Sequence, residues 1–125
     1  MSIQESGEMY LENILILKNK NGRVRSIDIA NYTSYSKPSV SRAMSILKRD
    51  KLIEIDADGY ITLTEAGAEI ANRIYERHVF LSKFLSEIGV DPEVAAKDAC
   101  KIEHDISEET FDRLKEFVHQ WKQSV

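Results

Sequence analysis

Apolar residues in the first part of the chain recur at helical spacing. Between residues 5 and 19, Met9, Leu11, Ile14, Leu15 and Leu17 fall near one stripe, with Ile16 outside it, and Lys20-Asn21-Gly22 ends the run as a turn. After an extended Val24-Arg25, Ser26 is the predicted cap of a short second helix that carries Ile27, Ile29 and Ala30 and stops near Asn31-Tyr32. A polar turn over residues 33–36 leads into a third helix. Ser36 is its N-cap, Pro38 sits in the first turn where a missing N–H does no harm, and Val40, Ala43, Met44 and Leu47 face inward as the helix runs to about Asp50.

The period then changes from helical to alternating. Leu52 to Ile55 and Tyr60 to Leu63 read as two strands joined by Asp56-Ala57-Asp58-Gly59, a hairpin with glycine at its turn. Thr64 starts a long helix through Ile70, Ile74, Phe80, Leu81, Phe84 and Leu85 that ends at Ile88-Gly89. Asp91-Pro92 opens a fifth helix (Val94, Ala95, Ala99, Ile102, Ile106), and Ser107-Glu108-Glu109 opens a sixth. The expected fold is mainly α with a small β-hairpin wing. A winged helix-turn-helix over residues 1–64 is followed by a helical domain over residues 65–125.

With 125 residues, 42% apolar and 30% charged, the chain can bury a core, which excludes a disordered or collagen-like protein. No run approaches the roughly 18 apolar residues of a spanning helix, and the opening MSIQESGEMYLE lacks the basic and apolar regions of a signal peptide. A cytoplasmic protein without a membrane partner is expected. Cys100 is the single cysteine, so no intramolecular disulfide forms; it reads as a small buried hydrophobe, a reactive thiol or a metal ligand.

The net charge of −4 hides an uneven distribution. From Lys18 to Lys51, nine Lys/Arg stand against two acids, a local net of +7; from Glu65 onward, thirteen acids stand against eight Lys/Arg, a local net of −5. One basic face in an acidic protein suits double-stranded operator DNA. The third helix, opening with Ser36, Lys37 and Pro38 and exposing Ser39, Ser41, Arg42, Ser45, Lys48 and Arg49, suits the major groove. Its early side chains are placed for base edges and its terminal Lys48 and Arg49 for phosphates. The plain alternative is a solvated basic helix. The wing, with Glu54, Asp56 and Asp58, is expected to do little phosphate binding.

In the acidic half, Cys100, Glu103 and His104 occupy i, i+3 and i+4 of the predicted fifth helix, putting a thiolate, a carboxylate and an imidazole on one face. Met9 and Glu12 stand at i, i+3 on the first helix, and His78 lies midway along the fourth. Each has an ordinary reading when taken singly: Met9 as core filler, Cys100 as a small buried residue, the histidines as satisfied polar groups. No HExxH, no Ser/His/Asp set and no phosphate-cradling glycine loop is present, so an enzyme is not expected.

Taken in order, the motifs Glu8-Met9-Tyr10-Leu11-Glu12, Ser36-Lys37-Pro38-Ser39-Val40-Ser41, Leu63-Thr64-Glu65-Ala66-Gly67, Arg77-His78, Ile88-Gly89-Val90-Asp91 and Cys100 through Ser107 closely resemble the metal-dependent repressors of the diphtheria toxin repressor and manganese transport regulator family. The resemblance spans residues 8 to about 120. It implies a homodimer of winged-helix subunits paired through the C-terminal helices, with divalent metal between the first helix and the dimerisation domain favouring the DNA-binding arrangement. Met9, Cys100, Glu103 and His104 match the activating ligands of the iron-responsive branch; Glu12, His78, Glu103 and His104 match those of the manganese branch, which has Asp in place of Met9 and Glu in place of Cys100.

The chain therefore mixes the two branches. Of the iron branch's other site only His78 is kept, since Ser82 and Ala96 stand where Glu and His are expected, and the two-domain length lacks that branch's SH3-like domain. Thioether and thiolate suit Fe2+ better than Mn2+, so Fe2+ is the expected activating ion, with Mn2+ and Zn2+ as the other candidates. The expected function is a repressor of metal-uptake genes. The rival reading is a winged-helix regulator that uses no metal, with Cys100 as a redox sensor or core residue. The stripe Phe111, Leu114, Phe117, Val118 and Trp121 is too apolar for a bare final helix and is expected to be covered within the domain or by a second subunit.

Overall fold

The computed structural model describes residues 5–124. The opening MSIQ and the final Val125 lie outside them. The chain divides into two compact units, one ending at Arg73 and one starting at Ile74.

The first unit contains α1 (Glu5–Asn21), α2 (Ser26–Thr33), α3 (Lys37–Arg49), the strands β1 (Ile53–Ile55) and β2 (Ile61–Leu63), and the start of α4 (Glu65–Glu87). The cap of α2 is Arg25, not the expected Ser26. Arg25 is extended (φ −120°, ψ 166°) and its N–H donates to Asp28 Oδ2 at 2.8 Å, so the acid three residues on fixes the helix start. The helix also runs past Asn31-Tyr32 to Thr33, ending at Ser34 in the left-handed region at φ 66°. Ser36 caps α3 as expected, accepting from the Ser39 N–H at 3.3 Å, with Pro38 in the first turn.

The strands are antiparallel, pairing Ile53 with Leu63 and Ile55 with Ile61. Each is one residue shorter than the sequence predicts: the Leu52 N–H bonds back to the Leu47 carbonyl, and Tyr60 is taken into a turn closed by the Asp56 side chain. Its Oδ1 accepts the N–H groups of Asp58 and Tyr60, both at 2.9 Å, and Gly59 supplies the positive φ of 85°. Beyond the hairpin, Ile61 donates to the Val24 carbonyl at 2.7 Å, tying the wing to the extended piece after α1. Leu11, Ile14, Ile29, Val40, Met44 and Ile61 are among the buried side chains of this unit's core. Ile27, by contrast, is 40% exposed.

Thr64 joins hairpin to helix: its hydroxyl donates to the Lys51 carbonyl at 2.8 Å and accepts from the Gly67 N–H at 3.1 Å. The Thr64 N–H also bonds to the Leu52 carbonyl at 3.0 Å. Gly67 faces that same carbonyl so closely that a Cβ would overlap the Leu52 oxygen.

The second unit holds the remainder of α4, α5 (Pro92–Ile102) and α6 (Glu108–Ser124) around Ile74, Leu81, Ala95, Ala99, Phe111 and Val118. Gly89 ends α4 at φ 108°, and Asp91 caps α5 by accepting from the Glu93 and Val94 N–H groups. Helix α5 ends at Ile102, earlier than the periodicity predicts. Glu103 is its C-cap, and His104 lies in the turn that follows. Along α6, Phe111 and Val118 are buried while Phe117 and Trp121 are 64% and 49% exposed, so the expected stripe is covered only in part by its own chain. Among the described residues, no helix is long and apolar enough to cross a membrane.

Because the Leu52 carbonyl is fixed by its bond from Thr64, a methyl group at position 67 cannot be accommodated by a side-chain move. Gly67→Ala should cost about 3 kcal/mol, the upper end of the ordinary overpacking range, read from denaturant unfolding of wild type and variant.

Candidate metal centre and nucleic-acid interface

Helices α4 and α5 place His78, Cys100 and Glu103 together. One ligand atom from each lies within 4.8 Å of the other two. His78 Nδ1 is 2.9 Å from Glu103 Oε2 and 3.7 Å from Cys100 Sγ. Across the turn, His104 Nε2 is 3.4 Å from the other oxygen, Oε1. Glu103 is 1% exposed, so its carboxylate sits among imidazoles with almost no access to water. Cys100 is exposed, not the buried hydrophobe that was one of its readings.

Glu103 keeps helical geometry at the C-cap, one turn from Cys100, while His104 lies in the turn beyond α5. His78, which the resemblance grouped with Glu12, Glu103 and His104 in the manganese branch, lies beside both Glu103 and Cys100. A thiolate, an imidazole and a carboxylate within reach of one point form a mixed S/N/O donor set, which suits Zn2+, Fe2+ or Co2+.

The sequence reading gave Arg77 no role of its own, yet it is 6% exposed beside His78. Nη1 donates to the carbonyls of Glu103 at 3.0 Å and Ile106 at 2.8 Å, Nη2 lies 3.4 Å from Glu108 Oε2, and the guanidinium stands 5.4 Å from the Phe111 ring centre. One signal was available: Ile74, Arg77 and Leu81 keep the inward spacing of α4, which puts a cation on a core stripe.

On α1, Met9 is half-buried and Glu12 is buried at 5% exposure, one turn apart. Tyr35 donates its hydroxyl to Met9 Sδ at 3.6 Å, and its ring meets Tyr10 edge-on at 6.1 Å. Tyr35 immediately precedes the N-cap of α3, a link from Met9 to the helix-turn-helix that spacing alone did not indicate.

On α3, Ser36, Lys37, Pro38, Ser39, Ser41, Arg42, Lys48 and Arg49 are all exposed, in the order the sequence predicts. Ser36 and Ser39 hydroxyls pair at 2.8 Å at the helix start. The wing keeps its acidic tip, and at its root the Arg23 and Arg25 guanidinium carbons lie 5.0 and 4.4 Å from the centre of the Tyr60 ring. A hollow of about 320 Å³ opens there between Lys18, Arg23, Asp56 and Tyr60. The hydrogen bond from Arg23, with the charge of Arg25 next in size, lowers the Tyr60 phenol below its usual range.

A winged-helix unit that presents a basic helix, followed by a helical unit with an S/N/O donor cluster, defines a metal-responsive DNA-binding regulator. Comparison with known proteins agrees. Residues 64–124 match the iron dependent repressor metal binding and dimerisation domain. An uncharacterised HTH-type transcriptional regulator of Methanocaldococcus jannaschii is 34% identical over 125 residues, covering 98% of this chain and all of that protein. The transcriptional regulator MntR of Escherichia coli is 35% identical over 111 residues, covering 89% of this chain and 72% of MntR. The solved structure of the manganese regulator SloR is 26% identical with a TM-score of 0.80, covering 95% of this chain and 55% of that one, so this chain spans about half its length. The chain belongs to the diphtheria toxin repressor and manganese transport regulator family of metal-dependent transcriptional regulators.

The lowered Tyr60 phenol gives a direct check on the wing root. A phenol depressed on folding favours the folded state only above the ordinary tyrosine pKa, and that advantage fades as pH falls through the lowered value, so it adds nothing at neutral pH. In an ultraviolet titration, one of the five tyrosines should ionise ahead of the rest. Arg23→Ala should move it back towards the others, and an unmoved early phase would show that Arg23 does not hold the phenol.

Proposed function

We propose that this chain is a homodimeric repressor of metal-uptake genes, switched on by a divalent transition metal held by His78, Cys100 and Glu103, with Fe2+ the favoured ion. The observation that carries the reading is the convergence of those three donors around a carboxylate that is 1% exposed. A surface cluster of acids is common without a metal, but a buried carboxylate flanked by two imidazoles and a thiol is a costly arrangement unless a cation uses it. His104, on the second oxygen of Glu103, belongs to the same proposed set. Met9 and Glu12 are proposed as the donors of α1 on the strength of the resemblance.

The metal, when bound, would supply two positive charges that the thiolate and the carboxylate neutralise, with imidazole as a neutral nitrogen donor. The protein's share is to keep these donors in place. Sulfur in the set favours Fe2+ over Mn2+, which prefers oxygen ligands, and leaves Zn2+ as a competitor. Tyr35 adds a feature of this chain, since its hydroxyl already engages the Met9 sulfur and its backbone leads into α3. The exposed Phe117 and Trp121 on α6 support pairing with a second copy, in keeping with a dimerisation domain over residues 64–124.

Operator affinity, measured anaerobically against free Fe2+, Co2+, Zn2+ and Mn2+, tests the reading. Glu103→Ala should abolish most of the metal-dependent gain, because no other carboxylate in the second unit's cluster replaces it; an unchanged activation curve would remove Glu103 from the activating site, and a wild type whose operator affinity ignores all four ions would remove the metal from the mechanism. Wild type that answers Mn2+ at lower free concentration than Fe2+ would overturn the ion preference alone.

On the DNA side, Arg42 lies early enough on α3 for base edges and Lys48 late enough for phosphates. Arg42→Ala should cost about 1–3 kcal/mol at one or two base pairs, whereas Lys48→Ala should weaken all sequences alike and reduce the salt slope by about one. Equal weakening on every sequence in Arg42→Ala would assign that side chain to the backbone.

A further inference from the structure

The turn from Glu103 to Ile106 carries two of the proposed ligands, yet it is neither helix nor strand. Its position comes from backbone and side-chain bonds together. Of the last carbonyls of α5, the turn's own N–H groups satisfy two: Glu103 donates to the Ala99 carbonyl at 2.9 Å, and Asp105 and Ile106 donate to the Ile102 carbonyl at 3.0 and 3.3 Å. The Glu103 carbonyl is taken by Arg77 Nη1 at 3.0 Å, and the Ile106 carbonyl by the same nitrogen at 2.8 Å. Nη2 reaches Glu108 Oε2, at the first residue of α6, at 3.4 Å. One planar group thus spans both ends of the turn and the start of the next helix.

The cost of this arrangement is visible. Arg77 Nε is buried with no hydrogen-bond partner among the described residues, so the guanidinium is oriented for the turn's carbonyls and not for its own full satisfaction. Its neighbour His78 joins the cluster from the same stretch of α4, 2.9 Å from Glu103 Oε2. Helix α4 therefore supplies one proposed ligand directly, and through the residue just before it bonds to the backbone of another.

We infer that Arg77 is a positioning residue of the metal centre, holding the backbone of Glu103 so that its carboxylate meets His78 and Cys100. This rests on the reading of those three residues as metal ligands. Charge alone predicts the opposite effect: an arginine near a dication repels it, and its loss should tighten binding. Geometry predicts weaker binding, because a neutral or single-point side chain cannot bridge two carbonyls and a carboxylate. The sign of the change separates the two.

The experiment is an anaerobic titration of the full chain with Co2+, reading the sulfur-to-cobalt charge-transfer and d–d bands, with affinity measured by chelator competition. Arg77→Met and Arg77→Lys are compared with Glu108→Gln, and folding of each is confirmed by circular dichroism. Arg77→Met should lose about 10- to 100-fold in Co2+ affinity and change the band pattern at saturation, the usual scale for a group that orients a ligand. Arg77→Lys should lose less, and Glu108→Gln should stay within about three-fold, since both carbonyl bonds remain. A merely structural arginine would lower the melting temperature of metal-free and cobalt-loaded protein alike, leaving the metal-induced shift unchanged.

Wild-type affinity and spectrum in folded Arg77→Met overturn the inference, as they do in Arg77→Lys where the methionine variant does not fold. A loss in Glu108→Gln equal to that in Arg77→Met also overturns it, because the anchor would then be α6. A wild type that gives no cobalt bands overturns the metal reading itself, an outcome distinct from the other two.

Discussion

Glu103 puts a carboxylate where water hardly reaches it, and the second unit is arranged around that fact. An ionised carboxyl in such a place is strongly destabilising unless charges and donors surround it. Here each oxygen has its own imidazole, His78 on Oε2 and His104 on Oε1, and the residue's backbone carbonyl is held by a buried arginine. Removing any one of these leaves a buried group uncompensated. Such a concentration of buried polar groups in one place is a common mark of a site kept for function.

The first unit meets a different constraint, which is to fix the entry to α3. Four local devices converge on a few residues: the left-handed Ser34, the Thr33 hydroxyl accepting from the Tyr35 N–H at 3.2 Å, the Tyr35 hydroxyl on the Met9 sulfur, and Ser36 capping α3. Each is worth about a kilocalorie or less alone. Together they set the direction in which the basic helix leaves its turn. Since the contact with Met9 comes from α1, the state of that sulfur and the geometry of the turn are not independent.

Much of this was legible in the sequence because it is local. Helix starts at Ser36 and Asp91, the stop at Gly89 and the Asp56-to-Gly59 hairpin follow from capping and turn chemistry that involve only a few neighbouring residues. What stayed hidden needs contacts between distant parts of the chain. Helix α5 looks long enough in sequence to carry Ile106, yet it ends at Ile102, where Arg77, more than twenty residues earlier, binds the carbonyls that a longer helix would have used itself. Likewise the Asp-rich hairpin suggested an acidic wing, while Arg23 and Arg25 reach Tyr60 from the far side of α2 and α3 in sequence. The site residues were found by residue type and grouped by the resemblance, whereas spacing alone joined only Cys100, Glu103 and His104. His78 meets Cys100, a pairing no spacing rule connects.

The end of α5 sets how these donors are arranged. On a continuous helix, Glu103 and His104 would lie about 60° to one side of Cys100 and about 40° to the other, all on one face. With Glu103 still near helical geometry (φ −58°, ψ −27°) and His104 in the turn, the imidazole folds back onto the carboxylate it follows, while Cys100 stays one turn behind on α5. Glu103 then offers one oxygen to the His78 and Cys100 side and the other to the His104 side. A carboxylate with imidazoles on both oxygens is suited to bridging two cations as well as to holding one. The turn thus puts a different imidazole on each oxygen of one carboxylate, and Arg77 bonds to the turn's Glu103 and Ile106 carbonyls.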